Sequence, residues 1–105
     1  MSISHYIDYI KSERKYSIHT QTAYEKDLLT FQQFCKEQFE VSDIDQIPYS
    51  IIRSWVVSLV EAGKTNRTVN RKISVLRSYY NFLLRLETIK VSPLRKHVPL
   101  KQSKK

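Results

Sequence analysis

Glycine and pairable cysteine are almost missing from this sequence. One glycine and three prolines in 105 residues leave too little turn material for many short strands, which excludes most β architectures and favours a few long helices. The lone Cys35 excludes an internal disulfide and any cysteine-based metal site. Set between Phe34 and Phe39, it reads as a small apolar core residue. His5, His19 and His97 stand far apart without ligand spacing, so no metal or other cofactor is expected. There is no apolar run near 18 residues and no signal peptide, which predicts a soluble, cytoplasmic chain with no membrane partner.

What is present is charge of one sign, unevenly placed. The net charge is +8. Residues 1–61 hold six Lys/Arg against nine Asp/Glu, whereas residues 62–105 hold twelve Lys/Arg against Glu87 alone. Solubility accounts for a net charge of this size but not for its segregation, which points to a polyanionic partner. The length suits one compact domain that buries roughly 65% of its unfolded surface without staples.

Periodicity predicts an all-α fold of four helices. The first spans about Ser2 to Glu13, with Ser2 as N-cap and Ile3, Tyr6, Ile7 and Ile10 as its apolar stripe. The second spans Ile18 to Phe39, capped by Ser17. Tyr24, Leu28, Phe31 and Cys35 share one face, widened by Phe34 and Phe39, with Thr22 and Lys26 opposite. Residues 40–46 are acidic and polar and read as a loop. The third helix spans Pro48 to Ala62, with Pro48 in its first turn. Ile52, Trp55, Val56, Leu59 and Val60 form the expected buried face, and Gly63 ends the helix in a left-handed conformation. The fourth spans Asn66 to Leu86, capped by Thr65, with Val69, Ile73, Leu76, Tyr80 and Leu83 facing the core. Beyond it, "KVSPLRKHVPLKQSKK" has two prolines, many bases and little periodicity. It reads as a basic tail with at most one helical turn near Leu94.

The segment "TNRTVNRKISVLRSYYNF" carries Arg67, Arg71, Lys72 and Arg77 and no acid. With Arg67 at 0° on a helical wheel, Arg71 falls at about 40°, Ser74 at about −20° and Ser78 at about 20°, opposite a core stripe at about 160–240°. The cations therefore form an outer face, flanked by Asn70. Cations near a helix N-terminus oppose the dipole, and Arg67 and Arg71 repel each other without an acidic partner at helical spacing. A solvated surface helix is the plain reading. An anionic ligand is the sharper one, because Arg bridges phosphates or reads guanine edges, Asn pairs with adenine, and Ser and Thr admit a close phosphate.

These stretches also resemble a known family. "YSIHTQTAYEKDLLTFQQFC" is similar to the S-x-x-T-x-x-x-Y-x-x-D-L-x-x-F stretch of the N-terminal core-binding domain of tyrosine recombinases, the phage integrases and Xer-type enzymes. "TNRTVNRKISVLRSYYNFL" is similar to that family's T-(V/I)-x-R-x-(L/I)-S-x-L-R-x-(F/Y)-(F/Y)-x-F-L helix. "IKVSPLRKHVPLK" resembles its segment leading to the catalytic domain, with Ser92 where Asn is usual and Glu87 and Thr88 where a Gly is usual. The resemblance implies a SAM-like domain of two crossed helical hairpins over residues 1–90, and a basic linker, 91–105, towards a catalytic domain of the same parent. It implies double-stranded DNA as partner, with the second and fourth helices in the major groove. By position, the DNA-facing residues are Ser17, His19, Thr20, Thr22, Thr65, Asn66, Arg67, Thr68, Asn70, Arg71 and Ser74, with Lys26 and Arg77 as weaker phosphate contacts. Each has a structural alternative: Ser17 and Thr65 cap helices, Thr20 packs, and Arg77 supports a neighbouring helix end. Tyr24 belongs to the motif but reads as core.

Family members cut DNA with a tyrosine nucleophile assisted by arginine, histidine and lysine. This chain contains no H-x-x-R and no such constellation, so no catalytic residue is assigned and catalysis is expected of a separate domain. In the family the first helix lies near neighbouring protomers of a tetramer on DNA, which would give His5, Tyr9 and the Lys11–Lys15 run a role in cooperativity, testable by deleting residues 1–14. Two other readings stay open: a stand-alone DNA-binding accessory protein, and a helical protein-interaction module.

Overall fold

The computed structural model describes residues 2–98. Among them are four helices and no strand: α1 Ser2–Ser12, α2 Ile18–Phe39, α3 Tyr49–Glu61 and α4 Asn66–Arg85. The predicted boundaries differ by one residue at the C-terminal end of α1 and α4 and at both ends of α3, the usual uncertainty of helix ends. The side chain of Ser2, the expected first cap, and residues 99–105 of the predicted linker lie outside the described residues.

α2 and α4 form the central pair. Each touches all three other helices, while α1 and α3 flank them without meeting. The stripe of α1 is wholly buried, so this helix is core and not an arm: Ile3, Tyr6, Ile7 and Ile10 pack with Leu28, Phe31, Ile73, Leu76, Tyr79, Tyr80 and Leu83. Deleting residues 1–14 would therefore remove core along with any contact to a neighbour. Trp55 of α3 meets Phe31 of α2 at 4.8 Å between ring centroids. Val60, expected in the buried face of α3, is 45% exposed, and Ile51 is buried instead. Val60 lies about 80° round the wheel from Ile52, at the stripe's edge.

Scarcity of glycine shows in the helix ends. Gly63 closes α3 at φ +91°, but Lys15, Glu40 and Glu87 take left-handed φ values of 54–60° at the ends of α1, α2 and α4. Three charged residues thus adopt a conformation that disfavours a Cβ, held by backbone bonds such as Val41 N–H to the Cys35 carbonyl (3.2 Å) and Thr88 N–H to the Leu83 carbonyl (3.0 Å). Pro48 occupies the cap of α3 and not its first helical residue, with extended backbone and no side-chain cap bond.

The polar loop after α2 is anchored more firmly than its composition suggests. Ile44 is 2% exposed; its carbonyl accepts from the Tyr80 hydroxyl at 2.6 Å, and the Tyr79 hydroxyl donates to Asp45. Burial pushes the Tyr80 phenol well above its usual pKa, which keeps it a neutral donor. Tyr80→Phe leaves that buried carbonyl unpaired and is expected to cost about 1–2 kcal/mol, read as a lower urea midpoint at unchanged slope.

The segment after α4 also packs. Ile89 and Leu94 are buried, a turn runs through residues 93–96, and the Tyr49 hydroxyl and His97 Nδ1 lie 2.8 Å apart. Burial and, secondarily, the charge of Arg77 lower the His97 pKa.

Candidate nucleic-acid interface

Both central helices begin with the same device. Ser17 Oγ accepts from Thr20 N–H at 3.2 Å and donates to Thr20 Oγ1 at 3.1 Å. Thr65 Oγ1 accepts from Thr68 N–H at 3.1 Å and donates to Thr68 Oγ1 at 3.0 Å. The structural alternative for Ser17 and Thr65 therefore holds: both cap. Each cap satisfies one of the orphan amides at its helix start. Neither α2 nor α4 carries an acid in its first turn, so the positive end of each dipole is not offset there.

The predicted outer positions are largely outside. Ser17, His19, Thr22, Lys26, Thr65, Asn66, Arg67, Arg71 and Ser74 are exposed, while Thr20, Thr68, Asn70 and Arg77 are half-buried. Tyr24 is half-buried against the core. Burial, then the neighbouring Tyr16, raises its pKa, opposed by the charges of Arg14 and Arg71. Cations of two different segments thus act on Tyr24.

One expectation fails. The cations of residues 65–82 are not uncompensated within the domain. Asp27 of α2, 3% exposed, accepts from Lys72 Nζ through Oδ1 at 2.8 Å and from Arg71 Nη1 through Oδ2 at 3.0 Å. The Lys72 side chain is 15% exposed and that of Arg71 52%. One carboxylate facing two cations leaves a positive charge over, and Arg71 is the partner still in solvent. Arg67 has no carboxylate partner among the described residues. The tie joins the N-terminal halves of α2 and α4. By helical rise, the caps stand about 15 Å before Asp27 on α2 and about 9 Å before Arg71 on α4. Asp27 is the residue that periodicity missed. It carries two signals: its place about 60° from Tyr24 on the wheel of α2, a carboxylate bordering an apolar stripe, and its position as the D of the Y-x-x-D-L stretch.

Ser78, expected to continue the outer face, does not. Its hydroxyl lies 2.7 Å from that of Tyr6, because α1 lays Tyr6 and Tyr9 across the C-terminal half of α4 and against Phe82. Tyr6 thus interrupts the face at Ser78: the stretch from Thr65 to Ser74 lies open before it, and Asn81 and Arg85 are exposed beyond it.

Among the described residues no His, Cys, Asp or Glu group is placed to hold a metal ion, and no helix is long and apolar enough to cross a membrane. What the surface offers is guanidinium forks, hydroxyls and amides on two adjoining helix starts, a set suited to anions and base edges and carrying no general acid–base pair.

A four-helix fold with this paired-helix surface defines a SAM-like domain, and the chain belongs to the family described as "Phage integrase, N-terminal SAM-like domain", whose model matches residues 3–87. It is 42% identical over 88 residues to the tyrosine recombinase XerC of Listeria welshimeri, covering 84% of this chain and 29% of that protein. It is 35% identical over 98 residues to the tyrosine recombinase XerC of Halalkalibacterium halodurans, covering 92% of this chain and 32% of that protein. The chain thus spans about a third or less of the length of these curated relatives. No solved structure matches it.

Proposed function

We propose that this domain binds duplex DNA through the starts of α2 and α4, as the N-terminal half of a clamp in a site-specific tyrosine recombinase that acts in DNA recombination or integration. The observation that carries this reading is the exposed surface of α4 from Thr65 to Ser74, a stretch with no acid of its own, where Arg67 has no carboxylate partner among the described residues and Arg71 keeps half its side chain in solvent despite Asp27. Arg67, Arg71 and Asn70 are the base-edge candidates; His19, Thr22, Lys26, Ser74 and Arg77 are phosphate contacts; Ser17, Thr20, Thr65 and Thr68 present the capped helix starts to the backbone. The tyrosine nucleophile and its activating cations belong to a catalytic domain of the same parent, and further protomers assemble on the same DNA.

Salt dependence tests the reading and separates it from a protein-interaction module. A surface that neutralises phosphates releases counterions, so log affinity falls with log salt by about 0.9 per phosphate. Fluorescence anisotropy on a labelled duplex should give a slope of about −3 or steeper. A slope near zero, or no binding at low salt, overturns it.

A further inference from the structure

Where α1 turns into α2, a cleft of about 310 Å³ opens against the C-terminal half of α4. Its wall holds Arg14, Arg77 and Arg85, the tyrosines Tyr9, Tyr16 and Tyr24, and Ser74 at the edge, and no lining residue is acidic. The guanidiniums are set on tyrosines: Arg85 Nη1 donates to the Tyr9 hydroxyl at 2.6 Å and lies 5.5 Å from that ring's centroid. Arg14 lies 5.4 Å from the Tyr16 centroid, and Tyr9, then Tyr16, raise its pKa. Two like charges from distant parts of the chain thus border one cleft that no carboxylate lines. An anion entering this cleft meets the attraction of its guanidiniums with no carboxylate in the lining to compete. Each guanidinium has several N–H donors, and the hydrogen bond to Tyr9 occupies few of them.

The cleft continues the α4 face. Ser74 and Arg85 fall within about 20° of Arg67 on the wheel, and Arg85 lies about 27 Å along the axis from it. Tyr24, on the cleft wall, feels the charges of both Arg14 and Arg71, which links the two cationic regions. We propose that this cleft is a second anion seat, which takes a phosphodiester of the DNA backbone outside the stretch reached by Arg67 and Arg71. Arg14 and Arg85 supply the forked donors and Arg77 the flanking charge. The proposal rests on the DNA-binding reading above and adds residues to it. The seat reads no sequence, because a phosphate carries none.

The test is duplex binding by the full chain and by Arg14→Gln, Arg85→Gln and the double variant, on two duplexes of unrelated sequence across a salt series. The double variant should lose about 3- to 10-fold in affinity on both duplexes alike, and its log–log slope should shrink by about 1–2. Thermal melts check folding. Should Arg85→Gln destabilise the domain through the lost Tyr9 bond, the exposed Arg14→Gln alone carries the comparison. Unchanged affinity and slope in folded variants, beside weakened binding by Arg67→Ala, overturns the seat and leaves the DNA-binding reading standing. No duplex binding by the parent chain overturns both. Amide shifts on adding inorganic phosphate, confined to Tyr16, Ser74 and their neighbours, would then mark a site for free anions in place of a DNA contact.

Discussion

Asp27→Ala should lower the unfolding free energy by about 3 kcal/mol and the melting temperature on the order of 10–20 °C. Removing one member of a buried ion pair leaves the other charged and desolvated, and here that member is Lys72, 15% exposed. Arg71, at 52%, regains water and adds little to the loss. The carboxylate also joins α2 to α4, the two helices that touch every other element, so its loss is felt across the fold. A companion variant separates charge from packing. Asp27→Leu combined with Lys72→Met should recover most of the stability, since apolar replacement of both partners is often neutral or better. If Asp27→Ala melts within about 2 °C of the parent, the tie contributes little and the two helices are held by apolar contacts alone.

The double variant Arg67→Ala/Arg71→Ala should weaken duplex binding by about 2–4 kcal/mol, roughly 30- to 1,000-fold, with melting little changed. The two arginines are not equivalent. Arg67 has no carboxylate partner among the described residues, so its whole charge is available to a ligand. Arg71 shares Asp27 with Lys72 and must loosen that bond or reach outward from it, which reduces its yield. Arg67→Ala alone should therefore carry the larger part. A loss that depends on duplex sequence assigns a base-edge contact; an equal loss on all sequences, with the salt slope reduced by about 1 per residue, assigns phosphate contacts. A double variant that binds like the parent places the DNA surface elsewhere.

Local features were legible because they depend on spacing. The α2 span, the caps Ser17 and Thr65, the turn at Gly63 and the burial of Tyr6, Phe31, Trp55 and Tyr80 follow from helical periodicity and from what a helix end requires. The outward direction of Arg67, Arg71 and Ser74 follows from the same 100° step. Family membership was legible in the motif pair of α2 and α4 and accords with the match over residues 3–87.

Residues far apart in sequence were not legible. The apparent absence of acids from the fourth helix held only within its own segment. Asp27 stands 44 and 45 positions from Arg71 and Lys72, and no periodicity records such a distance. Ser78 looked outward on the wheel of α4, but Tyr6, 72 positions away, covers it. The polar loop hid Ile44 because one apolar residue among acids has no period.

The sequence by itself determined the four helices, their apolar sides and a cationic surface on the last of them, because these arise from a 3.6-residue repeat and the chemistry of helix ends. Only the tertiary structure decided which cations remain available. Charge compensation depends on distances between elements, and those exist only once α1, α2 and α4 are packed together.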